Sequence, residues 1–432
     1  MNILLVNPPN CGRSIPEERY GIDSIKQIFR GEPLALEALA GNLEGHEVGI
    51  VDLKAEPGGL QSAINDLRPE LVALTGVTCE ANTVLRLAGE IKESVNNVTV
   101  VVGGIHASND PLFFNRPQVD YVVLGLGKAS LQELVAALEQ GTDTRAIPGV
   151  MKTNPGHRPG YAARNYSTAD LVDDKAPRYD LVARYRDSYV LSSLGIKMGF
   201  VSTAFGCPFN CGFCCIGGLT GGRYLTHRTE AVLRDIRLLG DIPVIRLLDA
   251  NTFGDPGQAR DIAARLQAEN IRKQYLADVR SDTVVRHPEL MKQWKEAGLR
   301  AVIIGFEEID DLALARMNKA NKAATNTAAI EILHELGITI VGDFIVSPEY
   351  REPEFDRLER YIAEHEIDLP MITVLTPLPG TALHGEMQDR LTETNLDYYT
   401  LTNAVTPTAL GDELFYQRYA DLVKKCHAKA RL

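Results

Sequence analysis

The segment 205–218 reads FGCPFNCGFCCIGG and places four cysteines within nine residues. Cys207, Cys211 and Cys214 have the spacing C-x3-C-x2-C, and Cys215 follows directly. Three thiolates this close bind a soft or borderline metal or an iron–sulfur cluster. Gly206, Gly212, Gly217 and Gly218 let the backbone fold tightly around such a body. The chain holds seven cysteines, an odd number, with Cys11, Cys79 and Cys426 dispersed. In 432 residues that is no disulfide framework, and a reducing cytosol with a metal or redox site fits better. Zinc is the main alternative. Zinc sites show two C-x2-4-C or H-x3-5-H pairs. Here no second pair follows, and the next histidine, His227, is twelve residues beyond Cys215.

Two alternating series flank this loop. In the first, strand-like runs at 2–9, 47–52, 71–77, 98–104 and 121–125 alternate with helical spacing at 34–43, 60–68 and 83–94. The strands are rich in Val, Ile and Leu on both faces. That pattern predicts a parallel sheet covered on both sides, a doubly wound unit over 1–145. Residues 146–195 carry Pro, Gly and charge with little periodicity, and read as a connector that wraps the surface. The second series has strand candidates at 198–204, 244–249, 274–279, 301–306, 338–346 and 371–376. Helical segments lie between them, at 229–239, 258–269, 287–297, 324–336 and 354–365. Asp255-Pro256 reads as a cap and a first helical residue. Six βα units over 196–385 suit an open (β/α)6 barrel or a second doubly wound sheet. Either way, chemistry belongs at the C-terminal ends of the strands. The tail 386–432 reads as helical and amphipathic.

Forty-five Lys and Arg stand against 57 Asp and Glu, a formal net charge of −12. That disfavours nucleic acid and anionic membranes as general partners. No apolar run approaches a membrane span. The N-terminus MNILLVNPPN lacks the positive region of a signal peptide and reads as a first strand, which places the chain in the cytoplasm.

C-x3-C-x2-C with an aromatic at Phe213, directly after the first strand of the second series, resembles the radical S-adenosylmethionine (SAM) superfamily. The resemblance implies three cysteines on three irons of a [4Fe–4S] cluster, with SAM chelating the fourth iron. It implies reductive cleavage of SAM, a barrel fold and an electron donor such as flavodoxin or ferredoxin. It also implies SAM contacts at strand ends. These are Phe213 in the loop, Asp249 and Asn251 in LLDANTF, Arg280 and Ser281 in DVRSD, Glu307 in GFE and Thr376 in TPLPGT. Of the adjacent acids Glu307 and Glu308, Glu307 is favoured by its place in GFE.

A parallel α/β unit ahead of such a barrel is similar to the cobalamin-binding class of radical SAM enzymes. The resemblance implies cobalamin at the C-terminal edge of the first sheet, near Thr75, Gly76, Gly103, Gly104, His106 and Gly125. His106 is favoured as structural rather than as a cobalt ligand. The chain departs from the family at Gly125-Leu126-Gly127-Lys128, where G-E-G-E is usual, and it has no D-x-H-x-x-G. An empty or repurposed first domain is therefore the competing reading. With cobalamin, the implied activity is methylation of an unactivated carbon of a small-molecule substrate. Without it, the same scaffold could transfer a 3-amino-3-carboxypropyl group or run a radical cyclisation or rearrangement. An iron–sulfur or zinc sensor is the alternative of another class, and strand-end polar residues argue against it.

Overall fold

The computed structural model describes residues 1–22, 31–191, 195–428 and 430. Positions 192–194 of the expected connector and 429, 431 and 432 of the expected tail lie outside the described residues.

Strands β1 (Asn2–Asn7), β2 (Glu47–Asp52), β3 (Leu71–Leu74), β4 (Thr99–Val102), β5 (Tyr121–Val123) and β6 (Val150–Lys152) form one sheet. Their order is β2-β1-β3-β4-β5-β6. The pairs up to β5 are parallel, and β6 returns antiparallel from within the expected connector. The order reverses between β1 and β3, which makes this sheet doubly wound. Ligands bind such sheets in the crevice at that switch point, beyond the carboxyl ends of the strands. β3 is LVAL and β4 is TVVV, and both are buried on both faces, as helix-covered parallel strands must be.

The second sheet contains β7 (Val190–Leu191), β8 (Ile196–Val201), β11 (Val244–Leu247), β12 (Gln274–Val279), β13 (Leu299–Glu307), β14 (Thr339–Val346) and β15 (Leu369–Val374). A small antiparallel pair, β9 (Ala204–Gly206) with β10 (Tyr224–Thr226), frames the cysteine loop. From β8 to β15 the order follows the chain, and every pair is parallel. Right-handed crossovers in unbroken order put all helices on one face, so the sheet curls into a half-barrel. A second doubly wound sheet would need a reversal, and there is none among the described residues.

The helices follow from local chemistry. Asp255 caps Pro256–Ala268 by accepting from the amides of Gly257 at 2.9 Å and Gln258 at 3.1 Å. Trp294, on Pro288–Ala297, is fully buried, and its indole donates to the carbonyl of Ala259 at 2.9 Å. One continuous apolar core runs from Ile3 and Leu5 of the first sheet through Val182 to Phe200 and Val201 of the second. Each large apolar side chain buried there contributes about 1.5–3 kcal/mol.

The connector is a strap. The Tyr179 hydroxyl donates to the Phe200 carbonyl at 2.9 Å, and that of Tyr189 to Asp52 at 3.0 Å. Lys128 donates to the Leu171 carbonyl at 2.5 Å, so one of the two residues that depart from G-E-G-E ties the strap down.

The expected helical tail is present over its C-terminal part. Only Asp412–His427 is a long helix. Between Met387 and Asp412 the chain makes short turns, because this stretch is rich in Thr and interrupted by Pro407 and Gly411. Its hydroxyls serve other segments: Thr400 donates to the Arg13 carbonyl at 3.1 Å and Thr402 to Ser14 at 3.0 Å.

Candidate active site

The cysteine loop hangs from a clamp. Asp249, just beyond β11, is buried and accepts four hydrogen bonds from 202–204. Its Oδ1 takes the amides of Thr203 at 2.8 Å and Ala204 at 3.0 Å and the Ser202 hydroxyl at 3.1 Å. Its Oδ2 takes the Thr203 hydroxyl at 2.7 Å. Gly206 then turns at φ +79°, where a Cβ would stand 2.0 Å from the Arg223 carbonyl oxygen.

Further on, the loop is pinned across the barrel mouth. The Gly212 amide donates to Met317 and the Leu383 amide to Gly212, both at 2.9 Å. The Arg280 guanidinium lies 3.5 Å over the Phe209 ring. Asn109 of the first domain donates to the Cys215 carbonyl at 3.0 Å.

Cys207 and Cys211 are half-buried, and Cys214 is open to the mouth. Burial raises the Cys211 thiol, against the pull of Lys319 and Arg280. Cys214 has exposed surface, yet the walls around it and the neighbouring thiols push it up to about 12. Among the described residues no three His, Cys, Asp or Glu side chains converge on a single-ion site. A cubane spreads its thiolates over separate irons, so its ligands need not converge so closely. Three thiols on one pinned loop are a donor set that fits the cluster.

The strand-end residues divide by what they touch. Asn251 is 1% exposed, and neither atom of its amide has a partner. An orphaned amide beside the loop fits a polar group supplied by a ligand. Asp249, by contrast, is committed to the clamp. Arg280 donates to Asp282 at 2.9 Å and to the Lys319 carbonyl at 3.0 Å. Ser281 donates to Asn326 at 2.6 Å and accepts from Asn321 at 2.7 Å. Thr376 donates to the Val374 carbonyl at 3.0 Å. Glu307 sits at φ +61°, a conformation rare outside glycine, beside a bulge in the β13–β14 register. Its carboxylate receives Lys319 at 2.5 Å. Lys319 carries no motif that singled it out in the sequence.

A cavity of about 990 Å³ opens beside Phe213, between the ends of β13, β14 and β15. Glu308, not the favoured Glu307, lines it. Glu308 accepts from the Tyr350 hydroxyl at 2.6 Å, and burial pushes its carboxyl up to about 7. The ordinary glutamate value is about 4.3, so the neutral form is favoured by folding. That stabilisation is fully present below the unfolded value and is lost as pH rises through about 7. Glu308→Gln should therefore remove about 1–3 kcal/mol of stability loss between pH 5 and pH 8. Thermal midpoints of both proteins across that range check it, and parallel curves would refute it.

A second cavity, of about 740 Å³, lies between the two sheets at the first sheet's switch point. Asn7, Val77 and Ile105 line it from the sheet edge, Tyr189 from the connector, Cys215 from the cysteine loop and Leu378 from beyond β15. Its place and size fit a large planar cofactor. Thr75, Gly76, Gly103, Gly104, His106 and Gly125 are not on its wall; Val77, next to Gly76, and Ile105, between Gly104 and His106, are. At Gly104, φ +94°, a Cβ would stand 2.5 Å from the Thr75 hydroxyl, so this glycine closes β3 against β4. At Gly125 a Cβ would strike the Tyr166 hydroxyl at 1.6 Å. The 125–128 loop thus packs on the strap and also against the barrel domain, where the same Cβ would stand 2.9 Å from the Leu219 carbonyl oxygen. His106 is buried edge-on against Phe113 and Phe114, at centroid distances of 5.1 and 5.6 Å. Burial lowers it to about 4, and neither ring nitrogen has a partner. Of the connector tyrosines, Tyr166, Tyr179 and Tyr185 are buried in packing, Tyr161 is exposed, and Tyr189 reaches the cavity.

A thiol loop across a half-barrel mouth, facing a doubly wound sheet, defines a radical SAM enzyme with an added cofactor domain. Residues 26–135 match the B12 binding domain family and residues 201–362 the Radical SAM superfamily. An uncharacterised methyltransferase of Pyrococcus horikoshii is 30% identical over 402 residues, 89% of this chain and 82% of that protein. The hopanoid C-3 methylase of Methylococcus capsulatus is 29% identical, across 92% of this chain and 76% of that protein. The chain belongs to the family of radical SAM enzymes that carry a B12-binding domain. The structure of the radical SAM methyltransferase TsrM from Kitasatospora setae, with cobalamin and a [4Fe–4S] cluster bound, has the same fold. It superposes with a TM-score of 0.73 at 16% identity, over 99% of this chain and 89% of that one. The cofactors of this enzyme are a [4Fe–4S] cluster, SAM and cobalamin. Among the described residues no helix is long and apolar enough to cross a membrane.

Proposed function

We propose that this enzyme methylates an unactivated carbon of a small-molecule substrate, with cobalamin as the methyl carrier. The cavity between the sheets carries the reading: the first sheet's switch point and Cys215 of the cysteine loop share one space. When bound, the cluster supplies the electron that splits the sulfonium bond of SAM, and cobalamin supplies the methyl group. Cys207, Cys211 and Cys214 hold the cluster. The amide of Asn251 takes a polar group of SAM, and Phe213 and Glu308 wall the cavity for its nucleoside end. Asp249, Arg280 and Lys319 act as positioning residues, because each is spent on the loop or on the strand ends around it. Val77, Thr78 and Ile105 form the floor for the corrin. The methyltransferase names of the relatives point the same way. The reductant is a flavodoxin or ferredoxin and the compartment the cytoplasm, a reading supported by an odd number of cysteines of which three are spaced as a ligand set.

Anaerobic protein reconstituted with iron, sulfide and hydroxocobalamin tests this. The expected result is a retained corrin spectrum, and 5′-deoxyadenosine with S-adenosylhomocysteine as the products of SAM. Methylthioadenosine in their place would mean transfer of the 3-amino-3-carboxypropyl group. A corrin washed out by gel filtration would overturn the methylation reading.

A further inference from the structure

The inner face of the half-barrel is not packed shut. Alternate residues that face the helices, Ala277, Val302, Ile304 and Phe344, are fully buried. Those on the inner side are open: Leu248 is 47% exposed, and Asp278, Ile303, Asp343, Met371 and Thr373 are half-buried. Closed barrels fill this space with side chains; here it is a bowl. In the register, Asp343 of β14 stands between Gly305 of β13 and Met371 of β15. The place of a side chain at Gly305 is taken by the Glu307–Lys319 pair, where a Cβ would stand 3.0 Å from Lys319 Nζ, so Asp343 is bordered by that closed pair on one side and by Met371 on the other.

The charges around the bowl are paired. Arg246 bonds Asp278, Lys319 bonds Glu307 at 2.5 Å, and Arg280 bonds Asp282 at 2.9 Å. Asp343 is the exception. Among the described residues, no hydrogen bond or ion pair reaches its carboxyl. Its near neighbours are apolar or already committed, and a lone charge in such surroundings is costly. Burial raises this carboxyl well above the ordinary range, Glu307 and Asp278 add to the rise, and Lys319 and Arg246 oppose it. A protonated carboxyl beside these closed pairs both donates and accepts one hydrogen bond.

We propose that Asp343 is a specificity-determining contact for the substrate: it binds a hydroxyl or carbonyl oxygen on an otherwise apolar, uncharged molecule lying in the bowl. An anionic substrate would find no free cation there among the described residues, since Arg246, Lys319 and Arg280 are each paired with an acid, Asp278, Glu307 and Asp282. A cationic one would have to ionise Asp343 among those same acids. The inference rests on the methylation reading, which requires a substrate within reach of the cysteine loop.

Three probes with one rigid apolar body test it: 1-adamantanol, the 1-adamantylammonium ion and 1-adamantanecarboxylate. Their binding to the anaerobic holoenzyme is measured by equilibrium dialysis in wild type, Asp343→Asn and Asp343→Leu. The alcohol should bind wild type more tightly than either ion. Asp343→Leu should weaken the alcohol by about 3- to 10-fold, the worth of one hydrogen bond, and Asp343→Asn by less than about threefold. Asp343→Leu should fold with an unchanged or raised thermal midpoint, since it removes an unpaired carboxyl. Absence of alcohol binding overturns the proposal. So does equal alcohol affinity in wild type and Asp343→Leu, or a preference for the ammonium that Asp343→Asn abolishes. SAM cleavage by the wild-type holoenzyme is assayed in parallel. Its absence counts against the methylation reading, whereas cleavage with no dependence of probe binding on residue 343 counts against this inference alone.

Discussion

Alanine at any one of Cys207, Cys211 or Cys214 should leave a protein without the brown absorbance of the cluster and without 5′-deoxyadenosine formation. The rate should drop by at least about a thousandfold. Two thiolates cannot hold three irons of a cubane while keeping the fourth open, and the pinned loop offers no nearby substitute. Cys215 is the internal control. It lines the cavity between the sheets rather than belonging to the C-x3-C-x2-C set. Cys215→Ala should therefore keep its iron and its SAM cleavage. Iron analysis, visible spectra and chromatography of the nucleoside products check all four variants. A colourless Cys215→Ala with a coloured Cys214→Ala would reassign the third ligand.

Much of this was legible in the sequence because it is encoded locally. Periodicity located both series of strands: those of the first sheet are apolar on both faces, and those of the second have an apolar side turned to the helices. Asp255-Pro256 announced its helix because capping is decided within three residues. The cysteine loop announced itself by spacing alone. What the sequence hid depends on contacts between distant segments. Glu307 and Glu308 are adjacent in the chain, and no pattern says which faces a cavity. The φ of +61° at Glu307 and the bulge beside it decide that, by turning Glu307 to Lys319 and leaving Glu308 on the open side. The packing of the 125–128 loop on the strap was equally hidden, because it rests on Tyr166, some forty residues on, whose hydroxyl donates to the Leu124 carbonyl at 2.9 Å. The tail misled because its Thr residues bond Arg13 and Ser14, partners nearly the whole chain away. Lys319 was invisible for the same reason: a lysine after a short helix is ordinarily a solvated charge, and only the fold brings it to Glu307.

Asp249 illustrates how a residue can serve the chemistry without touching it. A carboxylate at a strand end beside a SAM site invites a contact to the SAM amine. Its two oxygens instead accept from two amides and two hydroxyls of 202–204, at 2.7–3.1 Å. Those residues lead directly into Gly206 and Cys207, so the clamp fixes where the first thiol emerges. Hydrogen bonds to a charged group contribute about 1.5–3 kcal/mol each, and they are not additive. Removing the acceptor also leaves two buried backbone amides unsatisfied. Asp249→Leu should cost about 3–5 kcal/mol of stability, read as a lower thermal midpoint, because it strands buried polar groups. It should also lower iron incorporation, because the loop loses its anchor before the cysteines. Asp249→Asn keeps the shape and one accepting oxygen, and should recover most of the stability. The informative comparison is SAM affinity in the fraction of Asp249→Asn that does load its cluster. A positioning residue predicts affinity close to wild type there, since no contact to SAM has been lost. A loss of more than about tenfold in that loaded fraction would mean that Asp249 touches SAM directly, and the clamp would then be secondary.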